Sequence, residues 1–299
     1  MPQADLAESL LKTLVHGGQT RQYCVYFPST LDRARPTPLV FFLHGNGGTT
    51  EGVEKDLTRR GFDRLAERDR FLVVYPQGFR GHWNANPSST KQGLDRTPDL
   101  DDVGFFEAMI EALGKEVTLD RRRIYATGIS NGGFMCFRLA GELANRLAGV
   151  APVAANLSQK LIEHHTPTTP ISMCIINGTQ DPLVPYEGGD IRLPGGKASG
   201  LGSLSTAATI EFWVKLNGCE KEPVVSLLPD LDATDETRVR RSLYRRGKAG
   251  TEVVLYAVEG GGHTWPGGPG YLPALFGRVC RDFDANEAIW EFFKAHPKR

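Results

Sequence analysis

The sequence predicts an α/β fold in which a mostly parallel central sheet is flanked by helices. Three observations carry the prediction. Apolar runs such as Leu39–Leu43, Phe71–Tyr75 and Ile171–Ile176 have the unbroken hydrophobicity of strands buried on both faces. Segments with helical spacing lie between them, among them 56–68, 205–216 and 282–296. The alternation continues along the chain without an internal repeat, so a single domain over residues 1–299 is the economical reading.

Bulk composition narrows the function. With 299 residues and 40% hydrophobic content, the chain can bury a sizeable core. Lys+Arg and Asp+Glu both number 35, so no net field favours nucleic acid or an anionic membrane. No run approaches the roughly 18 apolar residues of a membrane span. The first residues lack the basic and apolar regions of a secretory signal, which predicts a cytoplasmic protein, or a secreted one if a signal has been removed. Five cysteines are scattered without a C-x-x-C, which argues against a full disulfide framework and offers no metal cluster. Cys136 and Cys174 lie in apolar segments and read as small core residues.

Taken in order, Tyr23, Val25 and Phe27 alternate and predict a leading antiparallel pair between about 13 and 27. The buried run Leu39–Leu43 ends in His44-Gly45-Asn46-Gly47-Gly48, with no G-K-[ST] to make it a phosphate loop. His44 reads as a brace for this loop. After the strand at 71–75, a long loop over 78–99 carries Trp83, Asn84 and Asn86. Loops beyond strand C-terminal ends border ligands in open α/β sheets, so Trp83 is either a stacking platform or a loop anchor. Asp101-Asp102 opens a helix through about Val117, and the pair reads as capping rather than as metal ligands.

The central stretch is Arg123–Leu139, RIYATGISNGGFMCFRL. A short strand around Ile124–Ala126 leads into Gly128-Ile129-Ser130-Asn131-Gly132, a G-x-S-x-G pattern, and then into an apolar helix. Strand, sharp turn and helix is the setting in which that pattern makes a nucleophile elbow, with Ser130 at the tip. The glycines remove side chains that would crowd the turn. A second oxyanion donor comes from the loop after an earlier strand in such folds, which nominates the backbone amides of Asn46 and Asn131.

Beyond the elbow, 150–155 reads as a short strand and His164-His165 as surface loop. The strand at 171–176 runs into Asn177-Gly178-Thr179-Gln180-Asp181-Pro182. The glycine-rich stretch 187–203 reads as a connection or partial lid, and Trp213 as core. Residues 230–241 read as a solvated turn between strands. The last strand, 253–258, precedes Gly260-Gly261-Gly262-His263-Thr264-Trp265, and a helix over 282–296 closes the chain.

Ser130, Asp181 and His263 each follow a predicted strand and occur in the α/β-hydrolase order Ser…Asp…His. Asp190, Asp230 and Asp232 lack a buried strand directly before them. The predicted chemistry is acyl transfer to Ser130, with His263 as base and Asp181 as its partner. The expected partner is a small-molecule or oligomeric ester, and no cofactor or metal is expected. An acyltransferase, or a silent binding protein on the same scaffold, is the competing reading.

Together, GISNGGFMCFRLA, LHGNGG, DDVGFF, NGTQDPLVPY and GGGHTWPGG resemble the poly(3-hydroxybutyrate) depolymerase-like esterases, which are similar to feruloyl and acetylxylan esterases. The resemblance spans roughly 20–293. It implies an α/β-hydrolase fold, a metal-free mechanism, hydroxycinnamoyl or 3-hydroxyalkanoate-type esters as substrates, and Trp265 at the cleft beside Trp83. It also implies cysteine pairs in many secreted relatives, for which Cys219 has no evident partner here.

Overall fold

The computed structural model describes residues 6–85, 100–270 and 272–299. The chain opens with an antiparallel pair, β1 (Leu10–His16) and β2 (Gln19–Tyr26). The interior strands follow as β3 (Thr37–Leu43), β4 (Leu72–Pro76), β5 (Leu119–Ile129), β6 (Gly149–Val153) and β7 (Ser172–Gly178). A separate hairpin, β8 (Gly189–Arg192) and β9 (Ala198–Ser203), comes next. Then β10 (Val224–Leu227), β11 (Arg238–Tyr244) and β12 (Val253–Glu259) complete the main sheet.

Among the described residues the main sheet has ten strands in the order β1-β2-β4-β3-β5-β6-β7-β12-β11-β10. Its centre, from β4 to β12, is parallel, and both flanks are antiparallel. β3 shows why the pattern reads so strongly: Leu39, Phe41 and Leu43 enter one core while Val40 and Phe42 enter the other. Helices α1 (Gly61–Asp69) and α7 (Ala285–Ala295) cover the second core with Phe62, Trp290 and Phe293. Helices α2 (Asp102–Leu113), α3 (Asn131–Glu142) and α5 (Thr206–Asn217) cover the first with Phe106, Phe137 and Trp213. Each such aromatic ring, once buried, contributes roughly 1.5–3 kcal/mol. Short helices α4 (Gln159–His164) and α6 (Pro273–Phe276) occupy connections.

Several boundaries differ from the sequence reading. The helix expected from Asp56 begins only at Gly61; before it, Gly52–Leu57 forms a π-helical turn, and Arg59 and Arg60 break the run with φ of 50° and 58°. The strand expected at 124–126 is the middle of the eleven-residue β5. The stretch 187–203 is a β-hairpin rather than an irregular connection. His164 ends a helix instead of lying in a loop. The solvated turn stops at Thr237, because Arg238–Arg241 pair within β11 against β12.

Asp101 caps α2 by accepting from Gly104 N–H at 2.8 Å, as expected. Asp102 has a different task. It is buried, meets Arg21 Nη2 at 2.7 Å and accepts from Asn84 N–H at 2.8 Å, so it ties β2 and the Trp83 loop to α2. Asn86 and positions 87–99 of that loop lie outside the described residues. Cys136 and Cys174 are buried, and the five cysteines are free thiols. No helix among the described residues is long and apolar enough to cross a membrane.

Candidate active site

β5 ends at Ile129, and the chain reverses at Ser130 into α3. Ser130 holds φ 56° and ψ −121°, a conformation that costs a non-glycine residue on the order of 1–3 kcal/mol. Both flanks hold it there: Ser130 N–H donates to Val153 O at 2.9 Å, and Ser130 O accepts from Phe134 N–H at 2.8 Å. The glycines are needed because the end of β3 crosses the turn. A Cβ on Gly128 would stand 2.7 Å from Leu43 O, and one on Gly132 would stand 2.5 Å from the same oxygen.

Asp181 lies on the turn after β7. Its Oδ1 accepts from Leu183 N–H and Val184 N–H, both at 2.8 Å, while Oδ2 meets His263 Nδ1 at 2.8 Å. An ionised carboxylate only accepts, so Nδ1 carries the imidazole proton and Nε2 is left as the basic nitrogen. His263 is anchored by its own N–H, which donates to Phe276 O at 2.6 Å, and by stacking against the Phe276 ring. Ser130 and His263 line one cleft of about 520 Å³, with Asp181 buried behind the histidine. Among the described residues no hydrogen bond closes between the Ser130 hydroxyl and the imidazole; such contacts commonly tighten only with substrate present.

Asn46 and Asn131 border the same cleft. Asn131 is the first residue of α3, where backbone N–H groups have no intrahelical acceptor. In the loop after β3, Gly47 N–H donates to Gly81 O and Gly48 N–H to Gly45 O. Among the described residues, no acceptor takes the N–H of Asn46 or of Asn131. The two asparagine side chains work on the framework instead. Asn131 Oδ1 accepts from Trp83 N–H at 2.7 Å and its Nδ2 donates to Trp83 O at 3.2 Å, while Asn46 Oδ1 meets His82 Nδ1. Neither side-chain role was legible from the motif.

His44 is a brace. Its Nδ1 donates to Gly45 O at 2.7 Å and its Nε2 accepts from Gly78 N–H at 2.9 Å. Burial pushes its pKa down to about 4, so the ring is neutral near pH 7. Trp83 anchors the neighbouring loop: its Nε1–H donates to His44 O at 3.0 Å, and it is 3% exposed, yet its edge reaches the cleft. Trp265 packs on Phe42 with centroids 4.9 Å apart and also contributes to the cleft wall. The hairpin adds Ile191, Leu193 and Leu201, and it is tied to the Asp181 turn by Arg192 N–H donating to Leu183 O at 2.7 Å. The sequence reads this stretch as a connection or partial lid bordering the cleft; the hairpin pairing is what the structure adds.

No family model matches the chain. NocK of Nocardia uniformis subsp. tsuyamanensis, an esterase by name, is 33% identical over 298 residues, covering 97% of this chain and 84% of NocK. Feruloyl esterase B of Piromyces equi is 28% identical over 249 residues, covering 81% of this chain but 42% of that protein. The chain therefore spans less than half the length of the fungal relative. Among solved structures, the acetyl xylan esterase from Aspergillus awamori shares the fold with a TM-score of 0.60 at 15% identity, over 95% of this chain and 99% of that one. The feruloyl esterase module from Clostridium thermocellum does so with a TM-score of 0.57 at 13% identity, over 89% and 85%.

Proposed function

Since the chain belongs to the feruloyl esterase-like family of α/β-hydrolases that includes NocK, and is a carboxylic ester hydrolase, we propose that Ser130, His263 and Asp181 are its catalytic triad and that it cleaves hydroxycinnamoyl esters. The observation that carries the reading is the Asp181–His263 pair opening, with the strained Ser130, onto one cleft. The names of the curated relatives and the apolar walls from Trp265, Phe276 and Leu193 support a planar aromatic acyl group.

The steps follow from the geometry. Ser130 Oγ attacks the ester carbonyl carbon as His263 Nε2 takes its proton. Asp181 stabilises the imidazolium at Nδ1 and fixes its orientation. The carbonyl oxygen, now negative, accepts from the amides of Asn46 and Asn131, where loss of one donor costs about 10²–10³ in rate. The acyl–oxygen bond then breaks, and His263 Nε2–H protonates the departing alkoxide. Water, deprotonated by His263, releases the acid and restores Ser130.

The test is a hydrolysis panel of p-nitrophenyl butyrate, methyl ferulate, acetylated xylan and 3-hydroxybutyrate oligomers, run on wild type and Ser130→Ala. Methyl ferulate should show the highest kcat/KM among the natural-type esters, and Ser130→Ala should lose at least about 10⁴-fold in kcat on every substrate. Preference for the hydroxybutyrate oligomers would replace the aromatic acyl group with an aliphatic hydroxyacyl one. Full activity of Ser130→Ala would remove the triad.

A further inference from the structure

The turn between β10 and β11 meets the segment entering α7 at a place that contributes nothing to the cleft. There Asp235, Cys280 and Asp282 each bring a ligand atom to within 4.8 Å of the others. Protein donors satisfy the carboxylates only in part. Asp235 Oδ1 accepts from Thr237 N–H at 2.7 Å and its Oδ2 from Arg281 N–H at 2.6 Å. Asp282 Oδ1 accepts from Leu231 N–H at 2.8 Å. Its Oδ2 has no hydrogen-bond partner, although the residue is 3% exposed. The Thr237 hydroxyl, on a residue 1% exposed, lies against the Cys280 thiol at the same place. A buried carboxylate oxygen left without a donor, beside a thiol and a second carboxylate, carries a desolvation cost that a bound cation would offset.

We propose that these residues hold one zinc ion, with Asp235, Asp282 and Cys280 as protein ligands and the Thr237 hydroxyl or a water as the fourth. A thiolate among carboxylates suits a borderline-soft ion of low coordination number, whereas calcium takes about six to eight oxygens. Zinc–ligand distances of about 2.0–2.3 Å bring tetrahedral ligand atoms to within roughly 4 Å of one another, so binding draws the turn slightly closer. Cys280 gives up its thiol proton to solvent and binds as thiolate. The site would brace the histidine loop from outside. The backbone of this segment already holds that loop, with Gly262 N–H donating to Arg278 O and Gly267 N–H to Cys280 O, both at 2.9 Å.

The full-length protein, freed of metal with a chelator, is titrated with Zn²⁺ and read by metal content after gel filtration and by Tm. One equivalent should be retained, with Tm raised by about 5 °C. Loading with Co²⁺ should give a thiolate-to-cobalt charge-transfer band. Cys280→Ser should lose the band, and both it and Asp282→Asn should lose the Tm gain. Asp235→Asn, at a partly exposed position, repeats the test with less risk to folding. Cys24→Ser should keep every signal. Failure to retain zinc, or a band that persists in Cys280→Ser, would overturn the site.

Discussion

Two histidines follow buried strands into glycine-rich loops, and the protein uses them in opposite ways. His44 follows β3 and His263 follows β12, at 1% and 7% exposure. Burial therefore does not separate them. His44 has backbone partners at both ring nitrogens, so it has no nitrogen left for a substrate and, with its pKa pushed down to about 4, little affinity for a proton. His263 has a carboxylate at Nδ1 and a place on the cleft wall. What distinguishes a base from a brace here is the identity of the partner atoms. A carboxylate steadies the imidazolium that proton transfer creates, while burial holds His44 neutral against the smaller upward pull of the Gly45 carbonyl.

The largest expected effect tests the functional half of that contrast. Asp181→Asn should lower kcat about 10⁴-fold with KM little changed, whereas His44→Phe should leave kcat within about tenfold of wild type. Equal losses in kcat from two folded variants would break the comparison.

His44→Phe should instead act on stability. It leaves the buried Gly78 N–H without its acceptor and removes the tie across the loop, a loss of about 1–3 kcal/mol measurable by urea unfolding near pH 7.

The same variant sharpens the comparison through pH. The folded pKa of His44 is lowered from 6.5 to about 4, first by burial. Between those values the unfolded chain binds a proton that the native chain does not, so this group's contribution to stability falls as pH drops from about 6.5 to 4 and is constant below. Its full span is about 3 kcal/mol. Asp63, whose carboxyl is pushed up by burial, has the opposite slope, since its protonated native form loses stability as pH rises through the acid range. Unfolding free energies of wild type and His44→Phe should therefore be subtracted at each pH, which cancels Asp63. A flat difference would show that His44 titrates normally.

The smallest expected effect concerns the anchor next to the brace. Trp83→Phe removes one hydrogen bond to His44 O and should cost about 1 kcal/mol of stability, with a change in KM larger than that in kcat if the loop edge contacts substrate. Unfolding and steady-state kinetics on the same preparation separate the two.

The local chemistry of the chain was written plainly in its order of residues. β3, β4 and β7 were legible because a strand buried on both faces needs an apolar residue at every position, and the elbow because a reversal beneath Leu43 O admits glycine alone at 128 and 132. The hairpin at 189–203 was not, because its glycine-rich strands bury only alternate residues and draw their pairing from register rather than from apolar content. β10, the strand implied before the turn at 230–241, could not be bounded for a similar reason: each of its residues is exposed at the sheet edge.

By itself, the sequence determined the fold class and the three residues at strand ends, since these follow from local apolar runs and turn residues; it pointed to His44 as a brace, but the Gly78 partner 34 positions away came from the fold. The tertiary structure alone decided that Asn131 clamps Trp83 across 48 positions, that Asp102 neutralises Arg21 across 81, and that Cys280 and Asp282 meet Asp235. Partners that far apart leave no periodicity or spacing to read. Only the packing of the sheet and its connections brings their polar atoms together where water is excluded and a partner is required.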